Sequence, residues 1–188
     1  VWGAPLLARY RLSAGEVPKE ALRDRPWDMW RYREVMPPGV PVTLGEGGTP
    51  LLSAPRLGSE VGLEQIWIKE EGGNPTGSFK ARGLSAAVTM ARHFGVEQLT
   101  IPSAGNAGSA LAAYGAAAGI PVQVFLPRDT PALFFEEAQA YGATVHAVEG
   151  TIRDCALAQK EQGAGKGWFD VSTLKEPYRI EGKKTMGL

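Results

Sequence analysis

Short apolar segments alternate with longer amphipathic ones along most of this chain, and this alternation constrains the fold more than any other feature. An alanine-rich stretch from Asn106 to Ala118, for example, is followed by Gly119, a common residue at helix ends. The pattern predicts strands at residues 66–68, 98–102, 121–126, 143–148 and 168–171, and helices at residues 79–94, 106–118, 131–141, 151–162 and from 177 onward. Such repeated strand–helix units favour an α/β fold, an open parallel sheet with helices on both faces.

Residues 1–45 differ from the rest of the chain. Residues 23–33 read RDRPWDMWRYR, and a Pro-Pro-Gly sequence follows at 37–39. We expect an N-terminal arm with a short helix that packs its tryptophans on the body or on another subunit, because aromatic residues and arginine are common at interfaces. A purely structural role is the alternative. The sequence therefore divides into an arm, residues 1–45, and an α/β region, residues 46–188.

Composition excludes several classes of function. The chain has 188 residues, and its 20 basic residues balance 20 acidic ones, so neither nucleic acid nor an anionic membrane is expected as a partner. Cys155 is the single cysteine, which leaves no intrachain disulfide and no Cys-rich zinc site. His93 and His146 are too far apart for a local metal motif, and we expect no metal. The start lacks the features of a signal peptide and no apolar run approaches the ~20 residues of a membrane span, which predicts a soluble, cytoplasmic protein.

One turn singles out a lysine. Residues 74–83 read NPTGSFKARG, a Pro/Gly turn followed by a serine of the type that caps helices. If Ser78 is the cap, Lys80 lies at the second helical position, where the helix dipole disfavours another positive charge. The dipole then lowers the pKa of the amine from its ordinary value of ~10.4, and a neutral amine can condense with an aldehyde. The alternative is an ordinary surface lysine beside Arg82.

A second turn follows the strand predicted at residues 98–102. Residues 103–109 read SAGNAGS, whose small side chains let the backbone approach a ligand closely. The N–H groups that open the next helix favour an anion, and Asn106 can both donate and accept a hydrogen bond. An asparagine cap with glycines for helix–sheet packing is the alternative. Both turns lie in strand-to-helix connections, where parallel sheets bind ligands.

Other glycine-rich segments indicate less. Residues 163–167 precede a strand and are expected to form a loop, and residues 182–185 lack the glycine that a phosphate loop needs at position 177. Residues 45–49 either border a substrate entrance or form a plain turn. The acidic pair at residues 70–71 is either solvated or paired with Arg82.

Three stretches together carry a resemblance to a known family. Residues 69–80 read KEEGGNPTGSFK, residues 101–108 read IPSAGNAG and residues 178–185 read YRIEGKKT. With them, the chain from Gly45 to Leu188 resembles the pyridoxal-phosphate enzymes of the tryptophan-synthase-β fold group, fold type II, and is most similar to the threonine synthases. The first stretch is specific for the fold group and is shared in outline by threonine dehydratases, so the narrower resemblance rests on the ensemble.

The resemblance implies a cofactor, a reaction and roles for particular residues. Lys80 would hold pyridoxal phosphate as a Schiff base and shuttle protons at the substrate's α and β carbons, and Asn106 would bond the cofactor's 3-hydroxyl oxygen. The implied cofactor-binding residues are Lys80, Phe79 and Asn106, and the implied substrate-binding residues are Ser103, Ala104, Gly105, Asn106 and Ala107, with Thr76 and Ser78 nearby. The implied reaction converts O-phospho-L-homoserine and water to L-threonine and phosphate.

The chain also departs from this family. The loop that holds the cofactor phosphate and the residue that faces the pyridine nitrogen would follow Leu188, and the cysteine-containing element that opens many relatives is not found in residues 1–10. We therefore expect an incomplete fold, the small domain and the start of the large one, with weak cofactor binding and poor turnover. A homodimer is expected from the resemblance. The alternatives are a serine/threonine dehydratase and a non-catalytic binding fragment.

Overall fold

The computed structural model describes residues 6–13, 16–17 and 19–188. The strands are β1 (Leu51–Ser53), β2 (Trp67–Lys69), β3 (Leu99–Pro102), β4 (Val122–Pro127), β5 (Thr144–Val148) and β6 (Phe169–Asp170). The α-helices are α1 (Pro55–Val61), α2 (Lys80–His93), α3 (Asn106–Ala118), α4 (Ala132–Ala140), α5 (Ile152–Gln162) and α6 (Tyr178–Lys183). Short 3-10 helices cover Lys19–Leu22, Met29–Val35, Pro75–Gly77 and Lys184–Gly187.

Four of the strands form one parallel sheet, in the order β5-β4-β3-β6. The chain passes from β3 outward to β4 and β5, and then returns through α5 to place β6 on the other side of β3. The direction of winding therefore reverses between β3 and β6. In open α/β sheets, the crevice beyond the carboxyl ends of the strands at such a reversal is the usual ligand site.

Helices cover both faces of this sheet, as the alternating pattern predicts. Val122, Val124 and Leu126 of β4 join the apolar core that α2 and α3 complete. Because side chains alternate along a strand, Phe125 points to the opposite face, where its ring stacks on His146 with the ring centres 4.3 Å apart. That face is covered by α5, which buries Cys155. The predicted fold class is confirmed.

The strands β1 and β2, which are joined through α1, lie outside the parallel sheet. The two strands pair antiparallel with each other, with Leu51 opposite Lys69. The strand predicted at residues 66–68 is present as Trp67–Lys69, but its predicted place in the strand–helix alternation of the parallel sheet was wrong. The sequence predicted neither β1 nor α1. All three residues of β1 are exposed, so the strand carries no in–out alternation that a pattern search could detect.

The arm packs one tryptophan on the body. Trp30 is buried, and its ring nitrogen donates to Glu46 Oε1 at 3.0 Å and to Ser85 Oγ at 2.9 Å. The helix expected here is the 3-10 helix Met29–Val35, capped by Asp28, and Trp27 stays exposed. A contact with another subunit and the division at residue 45 stay predictions. Residues 1–5, 14–15 and 18 of the arm lie outside the described residues.

Candidate functional site

A cavity of about 320 Å³ opens where β3 and β6 end, at the reversal of the sheet. Its lining residues come from the ends of strands and the starts of helices: Lys80, Ile101, Pro102, Ser103, Ala104, Gly105, Asn106, Ala107, Ile152, Thr173 and Arg179. The structure thus brings Lys80 together with the turn at residues 103–107, although the two segments belong to different helices. Both were predicted from the sequence as site residues.

The other predicted residues lie beside this cavity and do not line it. Phe79 contacts the lysine, with its ring centre 3.7 Å from Lys80 Nζ. Ser78 is buried behind the lysine. Thr76 has a positive φ of 59°, and its buried hydroxyl has no hydrogen-bond partner among the described residues. These three residues shape the turn. The predicted contact of Phe79 with the cofactor and of Thr76 and Ser78 with the substrate stays a proposal.

The lysine turn has a geometry close to the one predicted. Ser78 is extended, with φ −159° and ψ 162°, as a helix cap should be, and its hydroxyl accepts a long bond from Lys80 N at 3.4 Å. The helix α2 begins at Lys80 itself, one residue later than the predicted placement. Helix ends assigned by hydrogen bonds and by dihedral angles commonly differ by one residue, and Phe79 already has helical angles.

Burial is the main reason why the pKa of the Lys80 amine is lowered. Its pKa is lowered from the ordinary lysine value by burial first, and then by the charges of Lys183 and Arg179. The helix dipole was the predicted cause of this lowering, whereas in the structure it follows from desolvation and from the cations of α6. The direction agrees with the prediction, but the cause differs.

A buried ion pair anchors the lysine turn. Arg82 is 2% exposed, and its guanidinium donates to both carboxylate oxygens of Glu71, at 2.7 and 2.8 Å. Burial alone would raise the pKa of Glu71, but the bonds from Arg82 and Thr49 outweigh it and the pKa is lowered. Of the two alternatives for the acidic pair, pairing therefore holds for Glu71, whereas Glu70 accepts from the N–H groups of the next glycines.

Asn74 attaches the same turn to the segment that follows the arm. Its side-chain oxygen accepts from Gly47 N at 3.0 Å, and its side-chain nitrogen donates to Glu71 Oε2 at 2.9 Å. Glycine is required at position 47, because φ is 102° and a Cβ atom would lie 2.4 Å from Met29 N. Within residues 45–49, Glu46 and Thr49 are buried while Gly45 and Gly48 are exposed, and none of the five residues lines the cavity.

The side chain of Ser103 fixes the backbone of the second turn. Ser103 Oγ accepts from Gly105 N at 3.2 Å and from Gly108 N at 3.0 Å, and it donates to Gly105 O. Gly105 has φ 151° and ψ −131°, a conformation that essentially only glycine adopts. The N–H groups of Asn106 and Ala107 open α3, so they have no acceptor within the helix and are available to a ligand. Asn106 itself is exposed at the cavity.

Two cations of α6 complete the site, and the sequence analysis gave them no role. Arg179 is 4% exposed, lines the cavity and donates to Val171 O at 2.8 Å, while its Nε has no partner among the described residues. Lys183 lies one turn further along, 5.9 Å from the Phe79 ring centre. Glu176 precedes the helix and accepts from the N–H groups of Tyr178 and Arg179. The four-residue spacing of Arg179 and Lys183 shows that they share one face of α6, but it does not show what that face meets.

Pyridoxal phosphate fits this set of groups. Its aldehyde requires an amine with a lowered pKa, which Lys80 provides. Its polar ring substituents require a donor and an acceptor, which Asn106 offers at the cavity. Among the described residues, no cluster of three or more His, Cys, Asp or Glu side chains could hold a metal ion, and no helix is long and apolar enough to cross a membrane.

A parallel α/β sheet with a cavity at its reversal point, lined by a lysine whose pKa is lowered, has the features of a site for a carbonyl compound. Residues 42–188 match the family model described as pyridoxal-phosphate dependent enzyme, and the chain belongs to that family. The cofactor of the family is pyridoxal phosphate. The prediction of family and cofactor is confirmed.

Two curated relatives that the chain resembles are both threonine synthases. The chain is 38% identical over 180 residues to the threonine synthase of Methanosarcina acetivorans, a match that covers 95% of this chain and 44% of the relative. It is 39% identical over 181 residues to the threonine synthase of Methanocaldococcus jannaschii, covering 94% and 44%. The chain therefore spans less than half the length of these relatives.

The solved structures that are similar to this chain share its fold, and their names describe several different activities. The chain is similar to a pyridoxal 5'-phosphate-dependent aspartate racemase, with a TM-score of 0.66 and 29% identity over 73% of this chain and 44% of the other. Maize serine racemase gives a TM-score of 0.66 and 26% identity over 73% and 42%. Threonine deaminase isoform 2 from Solanum lycopersicum, at 24% identity and a TM-score of 0.65, shows the shared fold alone.

Proposed function

We propose that this chain carries the lysine-bearing part of a lyase that converts O-phospho-L-homoserine and water to L-threonine and phosphate. One observation carries the proposal: the Lys80 amine, with its lowered pKa, lines the same cavity as the turn at residues 103–107 and Arg179. The threonine synthase name of the curated relatives supports the choice of reaction.

Lys80 supplies the reactive amine, and the same amine then carries protons during the reaction. Bound pyridoxal phosphate supplies an electron sink for negative charge that develops on the substrate. A lysine amine with a lowered pKa can accept protons from the α and β carbons and return protons at the α and γ carbons, because more of it is neutral than in an ordinary lysine. Phe79 limits where this amine can move, since its ring lies 3.7 Å from Nζ.

The turn and the cations of α6 provide two sites for negative charge. The free N–H groups at Asn106 and Ala107 suit the substrate carboxylate, with Ser103 acting through the turn that its hydroxyl holds. Arg179 lines the cavity with an Nε that has no partner among the described residues, and Lys183 lies one turn further along α6. A substrate that carries both a carboxylate and a phosphate uses both sites, whereas threonine has no group for the second. This favours the phosphorylated substrate over that of a dehydratase.

Covalent labelling tests the role of Lys80. We expect that pyridoxal phosphate added to the purified chain, followed by borohydride reduction and peptide mapping, marks Lys80. The matched variants are Lys80→Ala, which should lose the label, and Lys160→Ala, an exposed lysine on α5 that should not change it. A label that persists elsewhere in Lys80→Ala, or no label in the unmodified chain, contradicts the proposal.

Product analysis tests the reaction. A preparation of the whole protein should release phosphate from O-phospho-L-homoserine and form threonine in equal amount. Ammonia release from threonine, without phosphate release, would establish the dehydratase alternative. Labelling at Lys80 without either product would establish the non-catalytic alternative.

Two predictions about the assembly and its compartment remain proposals. We infer a homodimer from the resemblance to the fold group, and we keep the cytoplasmic location that the sequence predicted. Sedimentation of the whole protein at several concentrations measures the first, and cell fractionation measures the second. A monomer at all concentrations, or recovery with membranes, overturns the respective proposal.

A further inference from the structure

The helices α2 and α6 approach each other through two glycines. A Cβ atom on Gly182 would lie 2.0 Å from the backbone oxygen of Arg82 and 2.9 Å from Gly83 Cα. A Cβ atom on Gly83 would lie 3.0 Å from the backbone oxygen of Arg179. Neither glycine has a positive φ, so the backbone conformation does not require glycine here. Glycine is required because two backbones are in contact.

A buried hydrogen bond ties the same two segments together. Arg82 Nη1 donates to Thr185 Oγ1 at 3.0 Å, and the Thr185 hydroxyl donates to Gly182 O at 2.6 Å. The other nitrogens of Arg82 are already bonded to Glu71 and Thr49. Since Arg82 follows Lys80 by two residues, the lysine turn and the end of α6 share one anchor.

We propose that the Gly83–Gly182 contact and the Arg82–Thr185 bond form a positioning device that holds Arg179 and Lys183 of α6 beside the Lys80 amine. The inference rests on the proposed role of Lys80 and adds a set of positioning residues to it. None of the four residues of the device lines the cavity, so they act through the residues that do.

The position of the charged groups supports this device. Lys80 Nζ and Lys183 Nζ lie 3.7 and 5.9 Å from the centre of the same Phe79 ring. The charges that face Lys80 come from α6, with Glu176 just before the helix as the acidic group that partly offsets them. Lys183 and Arg179 are also the two charges that lower the pKa of Lys80, after burial. Moving α6 away from α2 would therefore take the charges of Lys183 and Arg179 away from Lys80 at the same time.

A series of three glycine substitutions in the full chain tests the proposal. Gly187→Ala is the matched control, because no atom lies within 4 Å of the added Cβ. Gly83→Ala is tight against the partner backbone, and Gly182→Ala must displace it. Alanine is a better helix former than glycine. Any harmful effect of Gly83→Ala or Gly182→Ala therefore reports the contact between α2 and α6 and not a lower helix propensity.

The measured quantity is the pH at which Lys80 becomes reactive. Acetylation by acetic anhydride over a range of pH, followed by peptide mass spectrometry, yields this midpoint without cofactor or substrate. We expect the midpoint to stay unchanged in Gly187→Ala and to rise in Gly83→Ala and further in Gly182→Ala, by roughly 0.5 to 1 unit for the last, because like charges move away. Lys160 in the same digests reports any general change in reactivity.

A second pair of variants isolates the charge. Lys183→Met should raise the Lys80 midpoint in the unmodified chain and should have much less effect in Gly182→Ala, because the two lysines are then no longer held together. Thr185→Val, which keeps the shape and removes the hydroxyl, should raise the midpoint as well, so the test survives if Gly182→Ala does not fold.

The outcomes separate the inference from the proposed function. A lowered midpoint in the unmodified chain that stays the same across folded variants of the series overturns the positioning device and leaves the role of Lys80 intact. An ordinary lysine midpoint in the unmodified chain overturns both. A graded rise across the series supports the device whether or not the substrate is the one proposed.

Discussion

At the scale of single residues, the lowered pKa of Lys80 links stability to pH. The unfolded chain holds this proton up to the ordinary value of ~10.4, so between the lowered pKa and that value the unfolded state binds more protons and stability rises with pH. Lys80→Met should therefore be more stable than the unmodified chain at pH 7, by less than about 1 kcal/mol because the amine is partly solvated. Urea unfolding at pH 7 and 10 should show this advantage shrinking, while exposed Lys160→Met shows no trend. An advantage that grows with pH would contradict the assignment.

The Glu71–Arg82 pair is the second prediction at this scale. Arg82→Met leaves the Glu71 carboxylate without its main partner, and removal of one member of a buried pair costs about 3–5 kcal/mol. Combining it with Glu71→Gln removes the unpaired charge, so the double variant should lose less stability than the sum of the two single variants. Chemical unfolding of the four proteins measures this coupling. Strict additivity would mean that the pair contributes nothing as a pair.

At the scale of elements, the two ends of α3 make different demands on glycine. Gly105 has φ 151° and lies against the Phe134 ring, so Gly105→Ala should cost about 1–3 kcal/mol and distort the turn that faces Lys80. Gly119 ends the helix with φ 70° in open space, so Gly119→Ala should cost about 1 kcal/mol and leave the turn unchanged. Unfolding experiments measure both costs, and labelling of Lys80 by pyridoxal phosphate should fall only in Gly105→Ala. Equal labelling in both variants would contradict a role for the turn.

At the scale of the whole molecule, one buried carboxylate joins segments that are distant in sequence. Glu46 is 0% exposed and accepts from the Trp30 ring nitrogen at 3.0 Å and from Tyr114 OH at 2.6 Å. Burial and the Glu46 charge also raise the pKa of Tyr114. Glu46→Gln replaces one accepting carboxylate oxygen by an NH2 group that only donates. Because Trp30 and Tyr114 both donate to this side chain, one of them would lose its acceptor. We expect a loss of stability of about 1–3 kcal/mol, measured by tryptophan fluorescence during unfolding. Exposed Glu97→Gln should change stability by less than about 0.5 kcal/mol.

Local patterns predicted most of the helices and the strands of the main sheet because each depends on a short segment. The helix α3 begins at Asn106 and ends at Ala118, as the alanine-rich stretch and Gly119 indicate. The pair β1 and β2 was misjudged for the opposite reason. A strand of three exposed residues takes its pairing from its partner, and an isolated short segment contains no information about that partner.

The candidate site was predictable only in part. Lys80 and the turn at residues 103–107 each follow a motif, and the rule for parallel sheets placed them at one edge. The rule succeeded for the lysine although β2 is not in that sheet, because packing of α2 against α3 brings the start of α2 to the same edge. Arg179 and Lys183 belong to a matched stretch, yet no local pattern shows which face of the molecule they reach.

The amino-acid sequence alone is enough to predict two local conformations at the site, an amine at the start of one helix and a turn of small residues before the next. Backbone preferences of Pro, Gly, Ser and Asn act within a few residues, which is why both turns can be recognised from short segments. Which charges meet that amine depends instead on contacts between segments that are far apart in the chain. The close approach of α2 and α6 at Gly83 and Gly182 brings Arg179 and Lys183 to Lys80, and desolvation of the amine depends on the same packing.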